Sequence, residues 1–170
     1  MIGSPVTLDA LASEHSAGHL LVVDDNAQNR RLLQRRMSRN GYTVEAVDGG
    51  EAALARVAQG GIDLVLLDVM MPGMSGIEVV QRLRLHHRLH ELPVIMVTAL
   101  DQSQNTVEAL EHGANDYVSK PVDYPVLLAR VATQLRVKRL GELKDEFFRM
   151  ATHDLRNPLT KILGGADGYD

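Results

Sequence analysis

The sequence predicts an α/β protein built on a doubly wound parallel sheet. Five short apolar segments, each a predicted strand, lie at residues 19–23, 42–47, 62–67, 93–98 and 116–119. The middle segments are nearly continuous Val, Ile and Leu, which is typical of strands buried on both faces of a parallel sheet. Amphipathic segments alternate with them, and the predicted helices cover 27–39, 50–59, 75–86, 103–112 and a stretch from Tyr124 onward. Repeated strand–helix units of this kind form three layers through right-handed crossovers.

Glycine-containing pairs follow three of the predicted helices. They are Asn40-Gly41, Gly60-Gly61 and His112-Gly113. Glycine readily adopts the left-handed conformation that commonly ends a helix. The pairs therefore support the predicted helix boundaries.

Length and composition limit the class of protein. The chain has 170 residues, enough for one domain and an appendage or for two very small domains. Its formal net charge of −4 gives no basic footprint, so direct nucleic-acid binding is not expected. The absence of cysteine excludes disulfides, thiolate metal sites and cysteine nucleophiles. Because the sequence shows neither an apolar run of about 18 residues nor a secretory signal, we expect a cytoplasmic protein with a flexible leader at residues 1–17.

Polar side chains follow the predicted strands at their carboxyl ends. In chain order they are Asp24, Asp25, Asp68, Thr98 and Lys120. In a doubly wound sheet these strand ends meet at one edge, where ligands bind. A single aspartate at such a position is usually a helix cap or a turn former. Five such residues at the matching ends of four strands instead predict a functional site.

The residue types predict magnesium-assisted phosphoryl transfer. Mg²⁺ prefers oxygen ligands and takes one or two protein carboxylates together with water and phosphate oxygens. Asp25 and Asp68 can ligate it directly, with Asp24 acting nearby or through water. The metal and Lys120 compensate the charge of a carboxylate nucleophile, and the Thr98 hydroxyl can hydrogen-bond the transferred group. Phosphoryl transfer needs little beyond such positioning and charge neutralisation.

Four segments carry a resemblance to a known family. They read LLVVDDNAQNRRLL, DLVLLDVMMPGMSGIEVV, PVIMVTAL and GANDYVSKPVD. With them, residues 18–139 resemble the receiver domain of two-component response regulators. The resemblance implies a flavodoxin-like (βα)5 fold with strand order 2-1-3-4-5. It also implies that the partner is a cognate histidine kinase or a phosphotransfer protein.

The resemblance assigns the acidic residues. Asp68 is then the phosphoacceptor, Asp24 and Asp25 are the acidic metal pair, and the main-chain carbonyl of Met70 is a further ligand to Mg²⁺. A haloacid-dehalogenase-type phosphatase also uses an aspartyl nucleophile, but it needs a second acid two residues later. This chain has Met70 at that position, so the alternative is excluded.

The resemblance also assigns the residues that read the phosphoryl group. Thr98 and Lys120 bind its oxygens, and the Lys120–Pro121 peptide bond is cis. Tyr117 occupies the aromatic switch position and is expected to turn inward when Thr98 moves toward the phosphoryl group.

The fifth predicted helix continues past the receiver-like region. Apolar residues follow a 3–4 spacing along it, at Leu128, Val131 and Leu135 and then at Leu140, Leu143, Phe147 and Met150. The spacing is typical of a coiled coil, and an uncovered apolar stripe predicts a homodimer through this helix. The step of five residues from Leu135 to Leu140 puts the two halves out of register. Gly141 lies at that step and predicts a hinge or a phase adjustment.

A second resemblance covers about residues 143–165 and rests on the string FFRMATHDLRNPLTKILGG at 147–165. This segment resembles the phosphoacceptor box of sensor histidine kinases. The resemblance implies that His153 is phosphorylated, that Asp154 acts as its acid or base, and that Asn157 orients water for removal of a phosphoryl group. We therefore expect residues 140–170 to be a linker helix and a truncated dimerisation segment of a receiver–histidine kinase hybrid. The ATP-binding domain of such a kinase has no motif in this chain.

Three functions follow from these patterns. The leading one is a phosphoacceptor receiver that regulates an attached histidine kinase core. The second is a dimeric docking module without phosphotransfer, and the third is a phosphatase that acts on partner receivers through the His153 helix. The parent protein is then expected to be a histidine kinase, and enzymatic activity of this chain itself stays open.

Overall fold

The computed structural model describes the backbone of residues 16–99 and 103–165, and their side chains except those of 103–106 and 156–165. Within these ranges five strands form one parallel sheet in the order β2-β1-β3-β4-β5. The strands are β1 His19–Val23, β2 Thr43–Val47, β3 Leu64–Asp68, β4 Val94–Ala99 and β5 Asp116–Lys120. The predicted fold class and strand order are confirmed, and the predicted strand ends are correct to within two residues.

Helices connect the strands in strict alternation. They are α1 Ala27–Arg39, α2 Gly50–Ala58, α3 Gly76–Arg84, α4 Ser103–Glu111 and α5 Tyr124–Gly165. Asn26 caps α1 by accepting hydrogen bonds from the backbone N–H groups of Gln28 and Asn29. The glycines predicted to end helices have positive φ angles, namely Gly41, Gly60, Gly61 and Gly113.

The sheet is buried on both faces, as the apolar strands predict. Leu20 and Val22 of β1 point to one face, where α1 and α5 pack. Leu21 and Val23 point to the other face, where α2, α3 and α4 pack. The alternation follows from the two-residue period of a strand. In the buried central strands β1 and β3, polar residues therefore occur only at the strand ends, which locates the site.

Ser16 and Ala17, the last two residues of the leader predicted at 1–17, contact the start of the domain. Residues 1–15 lie outside the described part of the chain, whereas Ala17 already donates a backbone hydrogen bond to the carbonyl of Gly41 at 3.0 Å. The Ser16 hydroxyl lies 2.9 Å from the hydroxyl of Thr43. Both contacts lie next to the start of β2, and the domain boundary at residue 17 stays a prediction. Among the described residues, no helix is long and apolar enough to cross a membrane.

Helix α5 is one continuous helix of 42 residues that passes through Gly141 and Pro158. Its first half does not contribute to an exposed stripe, because Val131 and Leu135 are buried against the sheet. Among the residues whose side chains are described, the exposed apolar ones toward the end of the helix are Val137, Leu140, Leu143, Phe147, Phe148, Met150 and Leu155. The change of register between Leu135 and Leu140 thus marks where α5 stops packing on the sheet and begins to face solvent. A hinge at Gly141 is not seen.

Candidate functional site: a carboxylate and lysine cluster

Four strands end at one edge of the sheet and bring the predicted site together. Pairing of β3 with β4 places Asp68 opposite Val97, next to Thr98. Pairing of β4 with β5 places Ala99 opposite Lys120. Asp24 directly follows β1, which pairs with β3. The parallel register alone therefore makes neighbours of residues that are up to 96 positions apart in the sequence (120 − 24).

The cluster holds three carboxylates and one ammonium group. Lys120 Nζ lies 3.4 Å from Asp68 Oδ2 and 3.5 Å from Asp24 Oδ2. Carboxylate oxygens of Asp24, Asp25 and Asp68 all lie within 4.8 Å of one another. Asp24 and Asp68 are buried, while Asp25 is exposed. When all three acids are ionised, Lys120 neutralises one of the three negative charges and a net charge of −2 remains. One divalent cation neutralises that remainder.

The hydrogen bonds of Asp24 use only half of its carboxylate. Asp24 Oδ1 accepts the backbone N–H of Asn26 at 2.8 Å, the contact expected of a turn-forming aspartate. Asp24 Oδ2 is buried and accepts no hydrogen bond from any described residue. A buried oxygen of this kind is costly unless it is paired with a charge. Lys120 Nζ approaches this oxygen at 3.5 Å without forming a hydrogen bond to it. The turn-forming role of Asp24 therefore leaves one oxygen that a metal cation can bind, and the donor set fits Mg²⁺.

The negative charge of the Asp68 carboxylate is only partly compensated by its neighbours. Burial raises the pKa of its carboxyl above the ordinary value, and the Asp24 carboxylate raises it further. The Lys120 ammonium and the backbone N–H of Met70, which donates to Asp68 Oδ1 at 3.2 Å, lower that pKa in part. Because these groups do not fully compensate the buried charge, a bound cation or an attached phosphoryl group changes the energetics at this carboxylate more than it does at a surface acid.

The loop after β3 is held in place by two residues that sequence reasoning missed. Gly76 donates its backbone N–H to the carbonyl of Val69 at 2.9 Å. A Cβ atom at Gly76 lies 2.2 Å from the Asp68 carbonyl oxygen, so only glycine fits there. Ser75 caps α3 by accepting the N–H of Glu78. The only sequence signal was a Ser-Gly pair before an apolar helical segment, which indicates a cap but not the close approach.

The two predicted switch residues lie on adjacent strands. Thr98 is buried, and the one contact of its hydroxyl among the described residues is a long one of 3.4 Å to the carbonyl of Ala99. Tyr117 is 37% exposed and lies opposite Met96 on β4. A weakly bound hydroxyl and an exposed ring are both free to change partners. The cis peptide bond predicted between Lys120 and Pro121 is confirmed.

The main-chain ligand predicted at Met70 lies directly after β3. The Met70 side chain is 58% exposed, so it does not fill the interior of the cluster. Its N–H already faces Asp68, as described above, and its carbonyl belongs to the same short loop. The position is thus compatible with a carbonyl ligand, which stays a prediction.

His153 and Asp154 lie far along α5, outside the carboxylate cluster. His153 Nδ1 lies 3.7 Å from Asp154 Oδ1, and both side chains are exposed. Asn157 is part of α5, but its side chain lies outside the described residues. Since the imidazole is accessible, it can meet a partner protein, and the roles of these three residues stay predictions.

Comparison with known proteins identifies the domain. The family described as response regulator receiver domain matches residues 20–132, well over half of the chain. The chain belongs to this family. The predicted family is therefore confirmed for residues 20–132, a region that includes the whole carboxylate and lysine cluster. The match ends before His153, so the histidine kinase segment is not covered by it.

Individual relatives agree with this assignment. The chain is 45% identical over 119 residues to an uncharacterized transcriptional regulatory protein, YkoG, from Bacillus subtilis, covering 70% of this chain and 51% of that protein. It is 40% identical over 122 residues to the response regulator PleD of Caulobacter vibrioides, covering 72% of this chain and 27% of PleD. The chain thus spans about half or less of the length of these curated relatives.

Solved structures show the same fold. A Francisella response regulator receiver domain matches with a TM-score of 0.65 and 29% identity, covering 70% of this chain and 97% of that one. The receiver domain of TorR, a response regulator of the TMAO respiratory system, matches with a TM-score of 0.64 and 30% identity, covering 69% of this chain and 96% of that one.

Proposed function

We propose that this receiver is phosphorylated on Asp68 in a Mg²⁺-dependent reaction. The observation that carries the proposal is the placement of the buried Asp68 carboxylate against Lys120, with two further acids in reach of the same cation. The phosphodonor is a cognate histidine kinase or a phosphotransfer protein. Bound Mg²⁺ supplies charge neutralisation for the attacking carboxylate and the phosphoryl oxygens.

The chemical step forms one bond and breaks one bond. A carboxylate oxygen of Asp68 attacks phosphorus, and an acyl phosphate forms as the bond between phosphorus and the donor atom breaks. The donor leaves with the electron pair of that bond and takes up a proton from solvent. Lys120 is placed to hold a phosphoryl oxygen, and Thr98 is placed on the neighbouring strand to donate its hydroxyl to another.

Phosphoryl uptake tests this proposal directly. We expect the chain, incubated with Mg²⁺ and a small-molecule phosphodonor, to gain one phosphoryl group by intact-mass measurement. Asp68→Asn should gain none, because the amide removes the nucleophile but keeps the shape of the side chain. Glu111→Gln changes an exposed acid on α4 and serves as the matched control. Uptake by Asp68→Asn equal to that of the wild type would refute Asp68 as the acceptor, whereas no uptake by either chain with Mg²⁺ bound would favour a docking module.

The same measurement separates the role of His153. We infer that His153 exchanges phosphoryl groups with receivers, since its ring is 73% exposed beside Asp154. Phosphorylated wild-type chain mixed with Asp68→Asn chain should therefore transfer phosphoryl groups to the latter. The double variant Asp68→Asn, His153→Gln should accept none. Release of free phosphate without any transfer would instead favour the phosphatase alternative.

The exposed half of α5 supports a homodimer. At about 100° per residue, Leu140, Leu143, Phe147 and Met150 share one side of the helix, and each is more than half exposed. We expect Leu143→Glu to convert a dimer into a monomer in a solution-mass measurement by light scattering. Thr152→Glu introduces the same charge on the opposite side of α5 and should leave the dimer intact. A wild-type mass equal to one chain at high concentration would overturn the homodimer.

A further inference from the structure

Helix α5 remains attached to the receiver domain after it has left the sheet. The ring of His90, in the turn between α3 and β4, occupies the space beside Gly141, where an added Cβ atom lies 2.5 Å from His90 Cδ2. One turn further along the helix, Asp145 Oδ2 lies 2.9 Å from His90 Nε2. Because position 141 is a glycine, the His90 ring can lie close to the backbone of α5. The carboxylate of Asp145 holds that ring in place.

A second contact lies just before the first. Lys138 Nζ lies 3.9 Å from Asp63 Oδ1, in the segment that leads into β3, and it also pairs with Glu142 on the next turn of α5. The Lys138 side chain is only 13% exposed. The helix is thus held on two sides of the same sheet edge, over residues 138–145. We name the contacts of His90 with Gly141 and Asp145 the α5 anchor.

The turn that carries His90 is itself held by Arg84. The guanidinium of Arg84 donates to the Leu92 carbonyl at 2.8 Å, to the Gly113 carbonyl at 2.7 Å and to Asn115 Oδ1 at 2.7 Å. Burial lowers the pKa of Arg84, and no described carboxylate lies within 4.0 Å of it. Its five donors serve backbone and amide oxygens in a fixed fork. The α3–β4 turn and the α4–β5 turn are therefore joined through one side chain.

Two further features make this junction rigid. Asn115 donates its amide N–H to the Leu89 carbonyl at 2.8 Å, directly before His90. Gly113 has a φ angle of 110°, and a Cβ atom there lies 2.8 Å from Arg84 Cγ. The α4–β5 turn thus has room for no side chain at this point. A displacement of either turn is transmitted to the other rather than absorbed.

The junction connects directly to the elements that carry the switch residues. Asn115 precedes β5, which holds Tyr117 and Lys120, and Gly113 follows α4, which comes after the strand with Thr98. We propose that a phosphorylation-dependent shift of α4 and β5 reaches the outgoing α5 helix through Arg84 and the α5 anchor. The proposal rests on the phosphoacceptor function proposed above. In this proposal, phosphorylation changes the direction that α5 takes beyond Gly141.

The α5 anchor also fits the proposed dimer. At about 100° per residue, Gly141 and Asp145 lie on the side of α5 opposite to Leu143 and Met150. One face of the helix is therefore fixed to its own receiver domain while the other is left for a partner chain. A change in anchor geometry rotates or tilts the apolar face, and with it the position of His153.

Distance measurement between spin labels tests the coupling. The chain contains no cysteine, so labels can be placed without background at exposed positions by Gln59→Cys and Arg149→Cys. Dilution with unlabelled chain restricts the measurement to distances within one chain. We expect a single narrow distance distribution that shifts when the sample is phosphorylated, with phosphoryl uptake confirmed by mass in the same sample.

Anchor variants give the decisive comparison. His90→Ala should broaden the distribution and abolish its shift while phosphoryl uptake is unchanged, and the exposed neighbour His86→Ala should alter neither. Gly141→Ala should displace the helix in the wild-type background but have no further effect in His90→Ala, because the clash is then gone. A distribution unaffected by His90→Ala overturns the anchor. Normal uptake with no shift overturns the coupling alone, whereas absent uptake overturns the phosphoacceptor function and leaves the anchor judged by the unphosphorylated distributions.

Discussion

Replacing Gly76 by alanine is expected to lower the free energy of unfolding by about 2 kcal/mol. The added Cβ atom lies 2.2 Å from the Asp68 carbonyl oxygen and 2.9 Å from Val69 Cα. Both neighbours are backbone atoms, so no side chain can rotate away. Over-packing of this kind costs about 3 kcal/mol, whereas the better helix propensity of alanine returns only about 1 kcal/mol. The clash therefore wins, and urea unfolding monitored by circular dichroism measures the difference.

Gly49→Ala is the matched control for this prediction. Both glycines lie at the start of a helix, because Gly49 directly precedes α2 and Gly76 is the first residue of α3. An added Cβ atom at Gly49, however, meets nothing within 4 Å. Its backbone is extended, so alanine is not strained there, and the expected cost is about 0.5 kcal/mol from a poorer helix cap. Equal losses in the two variants would show that α3 moves away without cost. Because the clash acts on the backbone of Asp68 itself, Gly76→Ala should also weaken phosphoryl uptake.

The fold and the acidic cluster could be predicted from the sequence because both depend on local patterns. Apolar strands alternate with amphipathic helices, and parallel strands bring their carboxyl ends to one edge whatever the details of packing. Asp24, Asp68 and Lys120 could therefore be placed together from their positions alone. Their contacts at 3.4 and 3.5 Å agree with that reasoning.

Close approaches between distant segments could not be predicted in this way. In the sequence, Gly141 looks like a flexible point in a helix. The structure shows that it contacts His90, which lies 51 residues earlier in the chain (141 − 90). Arg84 looked like an ordinary basic residue near a helix end, yet it joins two turns. Residues of this kind depend on tertiary geometry, which the spacing of apolar residues does not encode.

The coiled-coil pattern was wrong in its first half for a related reason. Val131 and Leu135 are four residues apart, as are Leu143 and Phe147, but the first pair packs on the sheet and the second faces solvent. Periodicity reveals which side of a helix is apolar, but not what covers it. The five-residue step from Leu135 to Leu140 marks where α5 leaves the sheet, and this step is visible in the sequence.

Divalent cations are expected to stabilise the domain strongly at neutral pH. Mg²⁺ that binds only the folded state adds about 2.7 kcal/mol to the free energy of unfolding at 100 times its dissociation constant. Without it the three acids of the cluster, Asp24, Asp25 and Asp68, leave two negative charges that Lys120 does not compensate. Urea unfolding in chelator and in Mg²⁺ measures this difference. Asp68→Asn should respond less, because it removes one of the charged ligands.

The dependence of stability on pH provides an independent check on the same carboxylate. Burial raises the pKa of Asp68 in the folded state above its ordinary value of 3.8. The folded state therefore binds this proton more tightly than the unfolded state, and stability falls as the pH rises from about 4 through the raised pKa. Without cation, the stability of Asp68→Asn relative to wild type should increase over that range and then stay constant. Glu111→Gln, at an exposed position, should show no such trend.

Mg²⁺ should reverse this relation between the two chains. Above the raised pKa the wild type carries the charge that the cation needs, so adding Mg²⁺ stabilises it more than Asp68→Asn. Well below pH 3.8 the carboxyl is protonated in both states, so the difference between the chains should no longer change with pH or with Mg²⁺. A difference between the chains that is flat with pH, or an equal response of both to Mg²⁺, would show that Asp68 lies outside the cation site. Either result would remove the electrostatic basis for placing phosphoryl transfer at this residue.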